Sequence, residues 1–373
     1  MNRFQDIPLF QKSSEEVLQL LEGGQLYAYR DDGLFARLSC FANAVRVSRV
    51  LDLPAPIGLW ETGNFAGNRD HGYANSFSEV LDWGEAISVE EVREGPGKRT
   101  VFSWPFLCLL DDEEPRKVLA ELAGIVAQLQ LRCPFCEPVN EALAQLGSAA
   151  DRVGIHCRAG DVEGKIEWMF RKGYPASFWR CFFREEARRK ENASYYIASN
   201  SGNLREAARR QLDDRARTLD DFLQPSDLQG SRLAYDYADQ RLFAASGILV
   251  GCGFSSFVTF ACMRAGKLPV SPLERVPEEL SEAYVDLNQL WKARYLSDVS
   301  YLLGSQLEHS PIAAQLREEG YPVEEDPAGD GWSARVGGLG RRVQRGWLEV
   351  RRRLDGGRRL QDIRGRFFRF SRW

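Results

Sequence analysis

Residues 153–161 read VGIHCRAGD: a short strand-like run, then Arg158, two small residues and Asp161. A strand that ends on a guanidinium needs a reason, because a charge is costly to bury unless it is paired. Arg158 falls just past the strand, where its fork of N–H donors suits a phosphate bidentately and keeps its charge at any working pH. Ala159 and Gly160 leave the room that a diphosphate needs. Working outward, RVGIHC (152–157) opens a regular succession. A helical region ends in FWRCFFREEARRK (178–190), followed by strand YYIAS (195–199), helix LREAARRQL (204–212) and a mixed stretch. Strand GILVG (247–251), helix SFVTFACMRAG (256–266) and strand LPV (268–270) complete it. Strand and helix in alternation imply a parallel sheet covered on both faces.

Upstream, GLFARLSCFANAVRVSRVLD (33–52) sets Leu38, Phe41, Ala42, Val45, Val47 and Val50 at near-helical spacing, with Arg37, Arg46 and Arg49 between them. PIGLW (56–60) and TVFSWPFLCLL (100–110) read as strands, and the Gly- and Asn-rich stretch 61–77 between them as a long loop of the functional kind. CEPVNEALAQLGSAAD (136–151) supplies a helix and then a break, which marks a boundary. Residues 278–303 carry an amphipathic helical pattern, and 320–331 a Pro- and Gly-bearing linker. A chain of 373 residues exceeds what one core fills, at about 250–300 residues. The expected division is therefore 1–148, 149–275 and an extension over 276–373.

The whole chain carries a formal charge of −4, which gives no reason to propose nucleic acid as a partner. Residues 341–373 hold twelve Arg and three acids, a net +9, leaving −13 for residues 1–340. The tail is thus a separate electrostatic object. It interleaves its Arg with Trp347, Phe367, Phe368, Phe370 and Trp373, which suits an anionic membrane surface or packing against the acidic body. The N-terminus lacks a sustained apolar core of the secretory kind. The longest uncharged run, 243–263, has GCGFSS at its centre and reads as strand, turn and helix start rather than a membrane span. The cysteines sit mostly in apolar runs, as buried free thiols in a reducing cytoplasm would. Cys133 and Cys136 form one C-x-x-C, but zinc needs a second ligand pair, and with His only at 71, 156 and 309 none stands out.

Two more segments put chemistry at strand ends, where open α/β sheets bind ligands. GCGFSSF (251–257) places Ser255 and Ser256 at a helix start, whose free N–H groups and dipole favour an anion. It is not the dinucleotide fingerprint, because Ser256 stands where the last Gly or Ala belongs. YYIASNSGN (195–203) ends in Asn200 and Ser201, able to hydrogen-bond a hydroxyl. His156, inside its strand, reads by itself as a satisfied core histidine.

In series, VGIHCRAGD (153–161), YYIASNSGNLREAARR (195–210) and DQRLFAASGILVGCGFSSFVTFACMRAGKLPV (239–270) resemble the successive motifs of the fucosyltransferase superfamily that includes the α1,6-, nodulation and protein O-fucosyltransferases. DDGLFARLSCFANAVRVSRVLDLPAPIGLW (31–60) is similar to that superfamily's N-terminal turn and helix. The resemblance implies an α/β protein of GT-B fold: two Rossmann-like domains facing across a cleft, the 1–148 half taking the acceptor and the 149–275 half the nucleotide-sugar, with a C-terminal helical extension. By position it implies that Arg158 binds the β-phosphate and stabilises the leaving diphosphate, with His156 beside it. Ser255 and Ser256, with Phe257 at the same helix start, would hold phosphate oxygens. Asp239 would accept hydrogen bonds from a guanine edge, and Arg37 corresponds to the arginine of the N-terminal turn. The chain departs from the pattern at Ala159, where a second arginine is common. It departs also at Asn200 and Ser201, in place of an aspartate pair, and at Phe35 and Ala36, in place of Gly-Asn. Sugar and acceptor therefore stay open.

The expected activity is transfer of a sugar from a nucleotide-sugar, GDP-fucose or another GDP-sugar, to a glycan or lipid-linked saccharide by direct displacement without a metal. Asp161, Glu163 and Glu167 are the carboxylates within reach along the chain to serve as base, unranked among themselves. The expected place of work is the cytoplasm, at the inner face of the membrane. The alternative is a nucleotide- or glycan-binding module that kept the site without turnover.

Overall fold

The computed structural model describes residues 9–277 apart from 20, 22–23, 31–32, 62–75, 94, 159–173, 175, 190–192 and 253–254. The expected helix over 278–303, the linker 320–331 and the tail 341–373 lie outside the described residues. So do Ala159, Asp161, Glu163, Glu167 and most of the loop 61–77.

The protein is mixed α/β with largely parallel sheets. Its first half runs β1 (Leu9–Lys12), α1 (Ser14–Gln19), β2 (Tyr27–Tyr29), α2 (Leu34–Val50), β3 (Ile57–Glu61), α3 (Phe77–Val80), β4 (Leu81–Asp82), β5 (Ser88–Val92), β6 (Leu107–Leu110), α4 (Pro115–Val126), β7 (Gln130–Leu131) and α5 (Cys136–Leu146). β2, β3 and β5 form a parallel sheet in that order, β1 pairs with β6 in parallel, and β4 with β7 antiparallel. The second half runs β8 (Arg152–His156), α6 (Ala176–Arg188), β9 (Ser194–Ala198), α7 (Gly202–Leu212), β10 (Ala216–Arg217), α8 (Arg232–Ala244), β11 (Ile248–Gly251) and α9 (Ser256–Ala265). Its sheet is parallel throughout, in the order β10-β9-β8-β11. All of β8 is buried, as a strand covered on both faces should be.

Two compact units divide the chain: Met1–Ala159 with Trp179–Arg275, and Gly160–Phe178 with Val276–Trp373. In the second, the rings of Tyr174 and Phe178 stack at 4.2 Å. In the first, α9 packs on β11 and α8 of its own half and also on α2 and α4 of the other. That shared helix explains its nearly all-apolar face, with Val258 and the run Phe260–Met263 buried.

Two sequence expectations are corrected by tertiary context, and one helix is buried more fully than its pattern suggests. The strand expected over 100–110 forms only at 107–110, with an isolated bridge from Phe102 to Ala28. Pro105 lacks the N–H a ladder needs, and the Asn43 amide of α2 donates to the Trp104 and Phe106 carbonyls on either side of it, at 3.1 and 2.5 Å. The strand expected at 268–270 reduces to a bridge between Val270 and Val250. α2 is buried continuously from Leu34 to Ser48, so Arg37 and Arg46 lie inside rather than on a polar face. Arg46 is neutralised there by Glu113 and Glu121 and donates to the Cys108 carbonyl.

Gly251, at the end of β11, shows how tightly the strand meets the helix that follows. A Cβ there would stand 2.7 Å from Val258 Cγ2 and 3.3 Å from His156 Cβ. Gly251→Ala is expected to destabilise the protein by about 1–3 kcal/mol through overpacking. Denaturant titration checks this, and a midpoint equal to that of the parent chain would refute the close packing.

Candidate functional site

β8 and β11 lie side by side with His156 opposite Gly251, so their carboxyl ends open onto the same edge. From β8 the chain continues through buried Cys157 to half-buried Arg158, and from β11 it reaches Ser255, the N-cap of α9. The His156 ring stacks on Phe257, in the first turn of α9, at 4.6 Å and 18°. Phe257 in turn meets Phe35 of α2 edge-on at 5.0 Å. The structure therefore brings together five of the residues singled out by sequence: His156, Arg158, Ser255, Ser256 and Phe257.

Two polar atoms of this group are buried without a hydrogen-bond partner among the described residues, as are several others elsewhere in the fold. Ser255 is fully buried, yet its hydroxyl makes no capping bond and has no hydrogen-bond partner among the described residues. His156 Nδ1 is likewise buried without a partner there. The expectation of a satisfied core histidine is not met. A buried polar atom left unpaired costs about 1–3 kcal/mol, and these two stand beside one helix start, where a ligand could satisfy them. Burial, with the Arg158 charge next to it, pushes the His156 imidazole down to about 3. It is neutral at working pH and can donate a hydrogen bond to an anion without carrying charge itself. The first N–H groups of α9 have no intrahelical acceptors, which makes that end a further donor set.

A second polar cluster sits on the β9 side of the same sheet. Asp239 of α8 accepts a hydrogen bond from the Tyr196 hydroxyl of β9 at 2.6 Å. Tyr235 donates to Asp220, and Arg205 of α7 lies 3.8 Å from that carboxylate. Arg205 also donates to the Ser199 carbonyl at 2.6 Å. Burial, reinforced by the charges of Asp236 and Asp220 against the relief from Tyr196 and Arg205, lifts the Asp239 carboxyl to about 7. Tyr196, Arg205, Asp220 and Tyr235 were not singled out by sequence. Tyr196 pairs in register with Gly154 of β8, two residues before His156, a placement that β9, buried from Tyr195 to Ala198, does not announce in sequence.

Other expected residues sit elsewhere. Ser201 spends its hydroxyl capping α7 through Leu204 N–H, at 3.4 Å. Arg37 of α2 is buried, its guanidinium reaching the end of β3, 4.8 Å from the Trp60 ring and donating to the Glu61 carbonyl at 3.0 Å. Among the described residues, no group of three or more His, Cys, Asp and Glu is arranged to hold a metal. No helix there is long and apolar enough to cross a membrane.

No protein-family model matches the sequence, and no curated protein matches it significantly. Similar solved structures include a NodZ α-1,6-fucosyltransferase soaked with GDP-fucose, at 13% identity and a TM-score of 0.41 over 64% of this chain and 92% of that one. Fucosyltransferase NodZ from Bradyrhizobium gives 12% identity and a TM-score of 0.40 over 65% and 92%.

Proposed function

We propose that the protein is a glycosyltransferase that takes a sugar from a nucleoside-diphosphate donor, a GDP-sugar such as GDP-fucose, and passes it to a glycan or lipid-linked saccharide. The observation that carries this reading is the pair of buried, unpartnered polar atoms, His156 Nδ1 and Ser255 Oγ, beside Arg158 at the start of α9. The diphosphate lies against that group and the base extends toward Asp239, along the carboxyl ends of β11, β8 and β9. As the bond to the sugar breaks, negative charge builds on the diphosphate. Arg158 and the helix N–H groups receive it, the service a divalent cation gives in other transferases. The acceptor hydroxyl attacks the anomeric carbon from the opposite side, its proton going to a carboxylate of the 161–167 stretch.

In this reading residues 1–148 form the acceptor side of a GT-B pair, 149–275 the donor side, and 276–373 an extension. The basic-aromatic tail holds the enzyme at an anionic membrane on the cytoplasmic face, close to a lipid-linked acceptor.

Thermal unfolding against GDP, UDP and GDP-sugars tests the donor. A ligand at about 100 times its Kd adds about 2.7 kcal/mol. GDP is expected to stabilise the protein more than UDP. The gain should grow as pH rises through about 7, because only the ionised Asp239 accepts from the guanine edge and below that point its proton must first be removed. The unliganded protein moves the other way. A carboxyl whose folded pKa lies above its unfolded value loses stability as pH climbs from the ordinary carboxylate range through about 7. The ligand-induced difference is therefore the quantity to read, and Asp239→Asn should flatten it. No shift with any nucleotide would overturn the assignment. Tight GDP binding without donor consumption would make the chain a binding module instead.

A further inference from the structure

Cys133 and Cys136 play no part in the proposed transfer. They flank a turn between β7 and α5 that is held at several points. The Arg132 N–H donates to the Val80 carbonyl at 2.9 Å, and its guanidinium pairs with Asp82 at 3.1 Å. The Phe135 N–H donates back to the Arg132 carbonyl at 2.9 Å, and the Phe135 ring is buried in the core. On this anchored turn the two sulfurs stand 3.0 Å apart. Cys133 is exposed and Cys136 half-buried, whereas Cys40, Cys108, Cys157, Cys181 and Cys262 are buried. Burial pushes the thiols of Cys108 and Cys157 up to about 12, which makes them poor nucleophiles. A zinc ion would need further ligands, and none completes such a group among the described residues.

We propose that Cys133 and Cys136 are a redox-active dithiol that exchanges with low-molecular-weight disulfides. Cys136 occupies the first turn of α5, where free N–H groups favour a thiolate. The hydrogen bond between the two sulfurs raises the Cys133 thiol above its ordinary value. The Cys136 thiolate attacks one sulfur of the small disulfide, forming a mixed disulfide and expelling one thiolate. Cys133 then attacks Cys136 Sγ, its proton passing to solvent, and expels the second thiolate. Two protein thiols are oxidised to one disulfide while the small disulfide is reduced to two thiols, so electrons balance.

The test is a titration of the reduced full-length protein with oxidised and reduced glutathione, followed by alkylation under native conditions and peptide mass analysis. The 133–136 peptide should lose both alkylatable thiols as the oxidised fraction grows and regain them on reduction. Cys133→Ser should stall with glutathione on Cys136, whereas Cys136→Ser should leave Cys133 largely unmodified. Persistent alkylation of both thiols at every ratio would overturn the proposal. Zinc bound to the reduced wild-type protein through this pair would overturn it too, since the sulfurs would then be ligands. The wild-type titration stands whether or not either variant folds.

Discussion

Replacing Arg158 with alanine is expected to lower sugar transfer about 10²- to 10³-fold, the usual cost of losing one preplaced donor to charge that develops in the transition state. The loss should fall on kcat more than on nucleotide binding. In the proposed ground state the diphosphate would still meet His156, Ser255 and the start of α9, whereas the extra charge of bond breaking would have only Arg158 as a full cation in this group. Arg158→Lys keeps the charge but not the planar fork, so its activity should lie between those of the parent and the alanine variant. Release of GDP from the donor, followed with saturating acceptor, reads the effect. Transfer that survives the alanine substitution intact would remove the catalytic assignment, even if GDP still bound. His156 adds a second readout: it is held at about 3 partly by the Arg158 charge, so its imidazole should titrate higher in the alanine variant.

The strand and helix order of the second half was readable because its pattern is local. β8, β9 and β11 are short apolar runs bounded by turn residues, and α7 opens on a serine cap. The proposed anion site was legible for the same reason, since Arg158, Ser255 and Ser256 each sit a few residues beyond a strand. What stayed hidden depends on partners far away in sequence. Nothing near Arg46 announces that Glu113 and Glu121 will neutralise it in the interior. α8 showed no clean period because it is buried on more than one side, from Leu233 and Ala234 through Tyr237 and Ala238 to Phe243. Asp239 was reached only through the motif resemblance. Its bond from Tyr196 and its raised pKa follow from the packing of α8 on β9, which local spacing does not encode.

A stability effect of comparable size is expected at Glu186, far from the transfer chemistry. Its carboxylate is fully buried and receives two hydrogen bonds from Arg275, both at 2.8 Å, with the Arg189 guanidinium 3.2 Å away. Arg189 also donates to the Arg275 carbonyl at 3.1 Å, and the Tyr195 hydroxyl of β9 donates to the Glu186 carbonyl at 3.3 Å. The end of α6, the inner strand β9 and the turn that holds Arg275 are therefore tied through one residue. Removing it takes from the largely buried Arg275 the carboxylate that accepts its two hydrogen bonds, and breaking a buried pair from one side costs about 3–5 kcal/mol. Glu186→Ala should lose stability of that order in denaturant titration. Replacing Glu186 and Arg275 together by apolar residues of similar volume should recover much of it, because the penalty lies in the stranded charge and not in the absence of attraction. A double variant that loses the sum of the two single losses would show that the groups act independently and that the pair does not hold this corner of the fold.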